Sequence, residues 1–301
     1  MQPKALSSLL IAVISTLALV ACSCNAQTPN AGLADVHTDV QYTQNSPAQF
    51  MDLYVPQGVA AALPAIVAIH GGGWRGGSRT GYRNAASHFV SHGYVFCTID
   101  YRLDDTAIYP AQIEDCKCAI RYLRAHANLY HIDPSRIGVW GESAGGHLAA
   151  MLGTSAGVKR LEGTGGWEDQ SSAVQAVLDL YGPSDLRAYG KTTAVSQAGA
   201  DIVVKFLGGT PMDKPDLAAD ASPIVFVSKN SAPFLILQGD KDPLVSVAQS
   251  QELYDTLKAS GVDATIKILP GAGHGGPQFF APEIISMVDD FFARELKPAG
   301  Q

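Results

Sequence analysis

Gly141-Glu142-Ser143-Ala144-Gly145 sets a serine between two glycines, directly after the apolar run Ile137–Trp140 and directly before the helical pattern Ala144–Thr154. A hydroxyl on a sharp strand-to-helix turn stands clear of the backbone and is free to attack a carbonyl carbon. The glycines are needed because such a turn leaves no room for a Cβ. Ser143 is therefore a candidate nucleophile, the plainer alternative being a serine that caps the following helix. Attack builds negative charge on the carbonyl oxygen, which needs fixed donors. His70-Gly71-Gly72-Gly73-Trp74 follows a second apolar run, Ala65–Ile69, and its glycines allow backbone N–H groups to turn inward. Gly72, Gly73 and Ala144 are the candidate oxyanion donors, a kind of contact worth roughly 3–4 kcal/mol each in acyl transfer. His70 itself is expected to orient the loop rather than move protons.

A neutral serine is a weak nucleophile, so a base must lie within hydrogen-bond reach. Of eight histidines, His274 in Gly271-Ala272-Gly273-His274-Gly275-Gly276 sits in a loop after the last expected strand, where its imidazole is free to meet Ser143. His147, four residues beyond the serine on the next helix, is its chief rival. His37, His88, His92, His126 and His131 look like surface or helix-end residues. A carboxylate is required in turn to hold the imidazole's tautomer. Gln238-Gly239-Asp240-Lys241-Asp242-Pro243 offers two, and Asp242 is preferred because it lies farther into the loop, while Asp240 suits a turn cap. Asp185 is a more distant alternative.

Positioning such groups calls for a rigid sheet. Short β-branched runs at Ala65–Ile69, Val95–Asp100, Ile137–Trp140, Ala176–Leu180, Phe234–Gln238 and Thr265–Leu269 alternate with amphipathic stretches. The helical stretches are Tyr82–His92, Ala111–Asn128, Ala144–Thr154, Val247–Ser260 and Pro277–Glu295. This alternation predicts an α/β fold, a mostly parallel central sheet flanked by helices. Asp35–Tyr42 and Gln49–Val55 are expected as an antiparallel hairpin on its edge. Asp133-Pro134-Ser135 is expected to close a helical unit before a buried strand. Leu186–Pro223 breaks the alternation and is expected as a small insertion over the active face, and the Gly- and Ser-rich stretch Ser155–Ser172 also fits poorly. Residues 35–301 are taken as a single domain.

The chain carries 28 acidic and 21 basic residues, a formal net charge of −7, which argues against a nucleic-acid partner. Residues 1–26 resemble an export signal, with Lys4 before the apolar run Leu6–Val20, and residues 27–34 a linker. Leu19-Val20-Ala21-Cys22 resembles a bacterial lipobox. The expectation is an exported protein, either a periplasmic or outer-membrane lipoprotein anchored through Cys22 or, after cleavage near Ala26, a soluble one. Cys97, Cys116 and Cys118 are expected as buried free thiols. The sequence offers no ligand cluster with zinc spacing, so no metal is expected, and no face announces an oligomer.

Taken together, these motifs resemble the α/β-hydrolase carboxylesterases with an HGGGW oxyanion motif, close to the hormone-sensitive-lipase-like esterases and to bacterial feruloyl and acetylxylan esterases. The resemblance covers about residues 50–296. It rests on His70–Trp74, Ile99-Asp100-Tyr101-Arg102-Leu103, the helix from Pro110 to Arg124, Asp133–Ala150, Gly239–Val245 and Gly273-His274-Gly275. The chain order Ser143, Asp242, His274 is also the one found in α/β-hydrolases. The resemblance implies an α/β-hydrolase fold and a cofactor-free serine esterase. It assigns Ser143 as nucleophile, Asp242 as acid, His274 as base and the Gly72, Gly73 and Ala144 amides as oxyanion donors. The substrate would be a short-chain or aromatic acyl ester, such as an acetyl or feruloyl group on plant polysaccharide. Two rival expectations are an amidase or peptidase using the same triad, and a catalytically dead hydrolase fold serving as a binding lipoprotein. Trp74, Tyr181, Phe206 and Phe279 are candidate pocket aromatics, though an aromatic at any such position is more often part of the core.

Overall fold

A computed structural model describes residues 33–44, 49–190 and 197–297. The export signal, Cys22 and most of the 27–34 linker lie outside the described residues. Eight strands form one sheet: β1 (Ala34–Gln41), β2 (Phe50–Pro56), β3 (Leu63–Ile69), β4 (Val95–Ile99), β5 (Ile132–Glu142), β6 (Ala176–Leu180), β7 (Phe234–Gly239) and β8 (Ala264–Leu269). Their order across the sheet is β1-β2-β4-β3-β5-β6-β7-β8. β1 and β2 pair antiparallel and β2 joins β4 antiparallel, which makes the expected edge hairpin. From β4 to β8 every pairing is parallel.

Strands β4, β6 and β7 are buried along their whole length because both faces are covered, which is why they appear as unbroken apolar runs rather than alternating ones. Successive side chains still take opposite faces. Val67, Cys97, Val139, Val177 and Ile236 pack beneath α2 (Ala111–Ala125), α3 (Ala144–Thr154) and α6 (Val247–Ala259). Ile66, Ala68, Phe96, Leu178 and Leu235 pack beneath α1 (Ala86–Ser91) and α7 (Pro282–Leu296). Cys97, Cys116 and Cys118 are buried free thiols within the first layer.

Three local expectations change. The helix expected over Tyr82–His92 begins as a 3₁₀ segment, Arg79–Ala85, before α1. Arg79 is drawn down onto Asp52 at 2.9 Å and onto Asp100, and Gly81 adds nothing to an α-helix. The helix expected over Pro277–Glu295 divides at Ala281, whose ψ of 146° is extended, because Pro282 excludes the helical region from the residue before it. Asp133-Pro134-Ser135 lies inside β5 rather than before it. Leu63 pairs with Ile132 but Ala65 with Ile137, so the extra residues bulge out there, a place where a proline lacking an N–H is tolerated.

The Gly- and Ser-rich stretch 155–172 is fixed to α2 by buried ions. Lys117 donates to Glu162 Oε1 at 2.8 Å and to the Ser155 carbonyl at 2.6 Å. Arg121 donates to Glu162 Oε2 at 3.0 Å and to the Gly166 carbonyl at 3.1 Å. Both cations are almost wholly buried. The insertion contributes α4 (Gln197–Leu207) and α5 (Pro215–Asp220), and it is seated by Phe206, which stacks on Trp74 with ring centroids 4.0 Å apart.

Candidate active site

The elbow is built by steric exclusion. Ser143 has φ 54° and ψ −117°, a strained conformation for a residue with a Cβ. It is held by its N–H donating to Leu180 O at 2.8 Å and its carbonyl accepting from His147 N at 2.9 Å. A methyl group on Gly141 would lie 2.0 Å from Gly145 O, and one on Gly145 2.0 Å from Ile69 O. These two contacts, rather than flexibility, dictate the glycine spacing around the serine.

The structure brings Ser143, His274 and Asp242 together from three separate loops at the carboxyl ends of β5, β8 and β7. His274 Nδ1–H donates to Asp242 Oδ2 at 2.7 Å, so Nε2 carries the lone pair and accepts from Ser143 Oγ–H at 2.7 Å. The Asp242 side chain is fully buried. Burial pushes its carboxyl up, but the His274 hydrogen bond and charge, with the Val245 and Leu244 amides at 2.9 and 2.8 Å, outweigh burial and hold it below the usual carboxylate range. Gln238 Nε2 supplies one more donor to Oδ2 at 3.0 Å and is itself gripped by Ser250. Sequence reasoning passed over Gln238, although an amide ending an apolar strand signals a buried polar task.

The rejected alternatives have other occupations. Asp240 accepts from Gly271 N at 2.7 Å and so ties the two loops together. Asp185 pairs with Arg187. His147 is fully buried, donates through Nε2 to Ala221 O at 2.7 Å, and is pushed down to about 4 by burial, so it stays a neutral prop beneath the insertion.

The glycine loop lies against the elbow: a methyl on Gly71 would fall 2.8 Å from Glu142 O and 3.6 Å from Ser143 Cβ. Gly72 and Gly73 have φ of 110° and 62°, which turn the loop as only glycine does readily. His70 orients it, donating from Nδ1 to Gly71 O at 2.8 Å, while burial lowers its pKa and keeps it neutral. Tyr101 stacks on the His70 ring at 4.2 Å and donates to its carbonyl at 2.8 Å.

Of the candidate pocket aromatics, Trp74 and Phe206 belong to the core that carries the insertion, and Phe279 is also buried. Tyr181 borders the site. Its ring lies 4.7 Å from that of His274, and its hydroxyl donates to Glu142 Oε2 at 3.0 Å. Burial raises the Glu142 carboxyl despite the Tyr181 and Tyr82 donors.

Asp179, at the end of β6, is a fully buried carboxyl beneath the elbow helix. Its Oδ1 accepts from Gly182 N at 2.9 Å, and Oδ2 has no partner among the described residues. Burial, only partly countered by the Gly182 amide, pushes it up to about 7. The unfolded value is about 3.9. Between those values the folded chain keeps a proton that the unfolded chain has released, so stability falls as pH rises from about 4 to 7 and is level above. Asp179→Asn is expected to shrink the difference between urea midpoints at pH 5 and pH 8. Equal differences in the two proteins would refute this role.

The BD-FAE family model matches residues 51–257, well over half of the chain. The chain belongs to the BD-FAE family. Within this family setting, esterase LipC of Mycobacterium tuberculosis is 32% identical over 236 residues, 77% of this chain and 58% of LipC. A truncated form of a carbohydrate esterase from gut microbiota superposes with a TM-score of 0.81 at 33% identity, covering 88% of this chain and 98% of that one. A bifunctional GH43-CE protein of Bacteroides eggerthii superposes at 0.78 with 31% identity, covering 87% of this chain and 35% of that one. The chain spans little more than half the length of the curated relatives it matches. Both sheet topology and these solved relatives make this BD-FAE member an α/β-hydrolase.

Proposed function

We propose that this chain is a serine carboxylic ester hydrolase that removes short or hydroxycinnamoyl acyl groups from carbohydrate alcohols through an acyl-enzyme. The observation that carries the reading is the continuous relay from Asp242 through His274 to Ser143, with both hydrogen bonds at 2.7 Å. In this mechanism Ser143 Oγ attacks the ester carbonyl carbon as His274 Nε2 takes its proton. The amides of Gly72, Gly73 and Ala144 receive the oxyanion. Collapse expels the alcohol, which takes the proton from His274. Water, deprotonated by His274, then attacks the acyl-serine, and collapse returns the proton to Ser143 as the carboxylic acid leaves.

The carbohydrate part rests on the carbohydrate esterase among the solved relatives. Ile202 of the insertion borders the glycine loop, where a methyl on Gly73 would meet its Cγ2 at 3.1 Å. The test is a hydrolysis panel of p-nitrophenyl acetate, butyrate and octanoate, methyl ferulate, acetylated xylan and a formyl-amide. Acetylated xylan or methyl ferulate should be cleaved with the highest kcat/KM. Turnover of the amide alone would replace the esterase reading with an amidase, and failure on every substrate, with no fluorophosphonate labelling, would leave a binding module.

The same reading places the protein outside the cytoplasm, anchored through an acylated Cys22. Its support is the apolar run behind Lys4 and the Leu19-Val20-Ala21-Cys22 motif. Among the described residues no helix is long and apolar enough to cross a membrane. Radiolabelled palmitate should enter the native chain and not Cys22→Ser.

A further inference from the structure

We propose that His88, His92 and Asp289 form a binding site for a late first-row divalent cation, with zinc the best fit, that fastens α1 to the C-terminal helix α7. One ligand atom from each residue lies within 4.8 Å of the other two. His88 Nε2 is 2.7 Å from Asp289 Oδ1, a contact between residues 201 positions apart. His88 and His92 are four residues apart at the end of α1, on one face, with ring centroids 4.4 Å apart.

The tautomer of His92 is already set for ligation. Its Nδ1–H donates to His88 O at 2.7 Å, which leaves the Nε2 lone pair free, the arrangement in which metal-bound imidazoles are held. Two imidazoles and one carboxylate are a donor set that suits zinc, with a water completing the tetrahedron. Zn–N and Zn–O bonds of roughly 2.0–2.1 Å set tetrahedral ligands about 3.4 Å apart. To admit the ion, the exposed His92 ring has to turn inward while His88 Nε2 and Asp289 Oδ1, now 2.7 Å apart, part by less than about 1 Å. The His88 and Asp289 side chains are 35% and 26% exposed, so an ion has a path in. The nearby Lys297 amine is engaged with His92 O at 3.0 Å and the Tyr94 ring at 4.8 Å.

The site's place decides its role. α1 leads into the amino end of β4, whereas Ser143 follows the carboxyl end of the parallel β5, so the ion would sit at the opposite end of the parallel strands from the triad. Its effect is on the attachment of α7, whose Phe291, Phe292 and Leu296 complete the core beneath α1. An ion bound only by the folded chain stabilises it by mass action.

The test titrates zinc chloride into the full, EDTA-treated chain by calorimetry, with thermal melts alongside. A one-to-one isotherm and a raised Tm are expected. His92→Ala and Asp289→Asn should each weaken binding about tenfold or more and abolish the Tm shift, with p-nitrophenyl acetate hydrolysis in EDTA unchanged. No saturable heat would overturn the proposal. So would binding retained in either variant, because it would locate the ion elsewhere, at His274 for example.

Discussion

Ser143→Ala is expected to lower kcat for p-nitrophenyl acetate by about 10⁴- to 10⁶-fold while the protein stays folded. Among the described residues the hydroxyl donates to His274 alone, so its loss removes one hydrogen bond at a half-buried position and little packing. The strain at φ 54° remains, because alanine carries the same Cβ. Asp242→Asn is expected to cost about 10⁴-fold by a different route. The amide would favour the wrong tautomer of His274, turning Nε2 from acceptor to donor against Ser143. Combining the two should cost little more than Ser143→Ala alone, since they disable one relay. Stopped-flow and steady-state rates, read beside circular dichroism, check all three proteins. Native turnover in Ser143→Ala would remove the mechanism entirely.

Glu162→Ala should be the most damaging change away from the active site, destabilising the fold by about 3–5 kcal/mol. Its carboxylate is the shared partner of Lys117 and Arg121, both nearly inaccessible to water. Without it, two positive charges remain buried beside each other, and desolvation already lowers the Lys117 pKa. The 155–172 stretch would lose its ionic tie to α2, keeping only the carbonyl contacts of Lys117 and Arg121, and Ser172 would lose its acceptor at 2.9 Å. A chain of this size loses roughly 2–4 °C of Tm per kcal/mol, so a fall of about 6–20 °C is expected in a calorimetric scan. Replacing Lys117 and Arg121 with Met and Glu162 with Leu together should recover much of the loss, as apolar side chains of similar volume need no partner. An unchanged Tm in Glu162→Ala would mean the cations find water on opening.

The reach of sequence reasoning followed the range of the interactions concerned. Ser143 and its glycines were legible because the elbow is a local steric problem, settled within five residues and flanked by clear periodicity. His274 and Asp242 were legible because loop position in an alternating fold carries chemistry even where contacts are distant. The hairpin followed from an apolar period of two, and the parallel strands from short unbroken β-branched runs alternating with helix-length stretches such as α3. Helix ends were less legible: the Arg79–Ala85 segment answers to Asp52 and Asp100 from strands far away in the chain, which no local propensity records. Tyr101 meets His70 across 31 positions, whereas Gln238 and Asp179 bond to Asp242 and Gly182 close by in the chain, and their tasks come from burial, which spacing does not record. Asp289 meets His88 only because α7 folds back across the sheet.

Trp74 ends the glycine motif, and its ring is the seat on which Phe206 of α4 stacks, with Tyr109 N–H also donating to Phe206 O at 3.0 Å. The insertion is therefore plugged into the glycine motif itself, with Phe206 on Trp74 and Ile202 beside Gly73. That makes the insertion resemble a cassette seated on a fixed socket. A graft from another member of the family that keeps an aromatic plug at position 206 is expected to seat on Trp74 in the same way, while the residue it brings to position 202 changes what lies against Gly73.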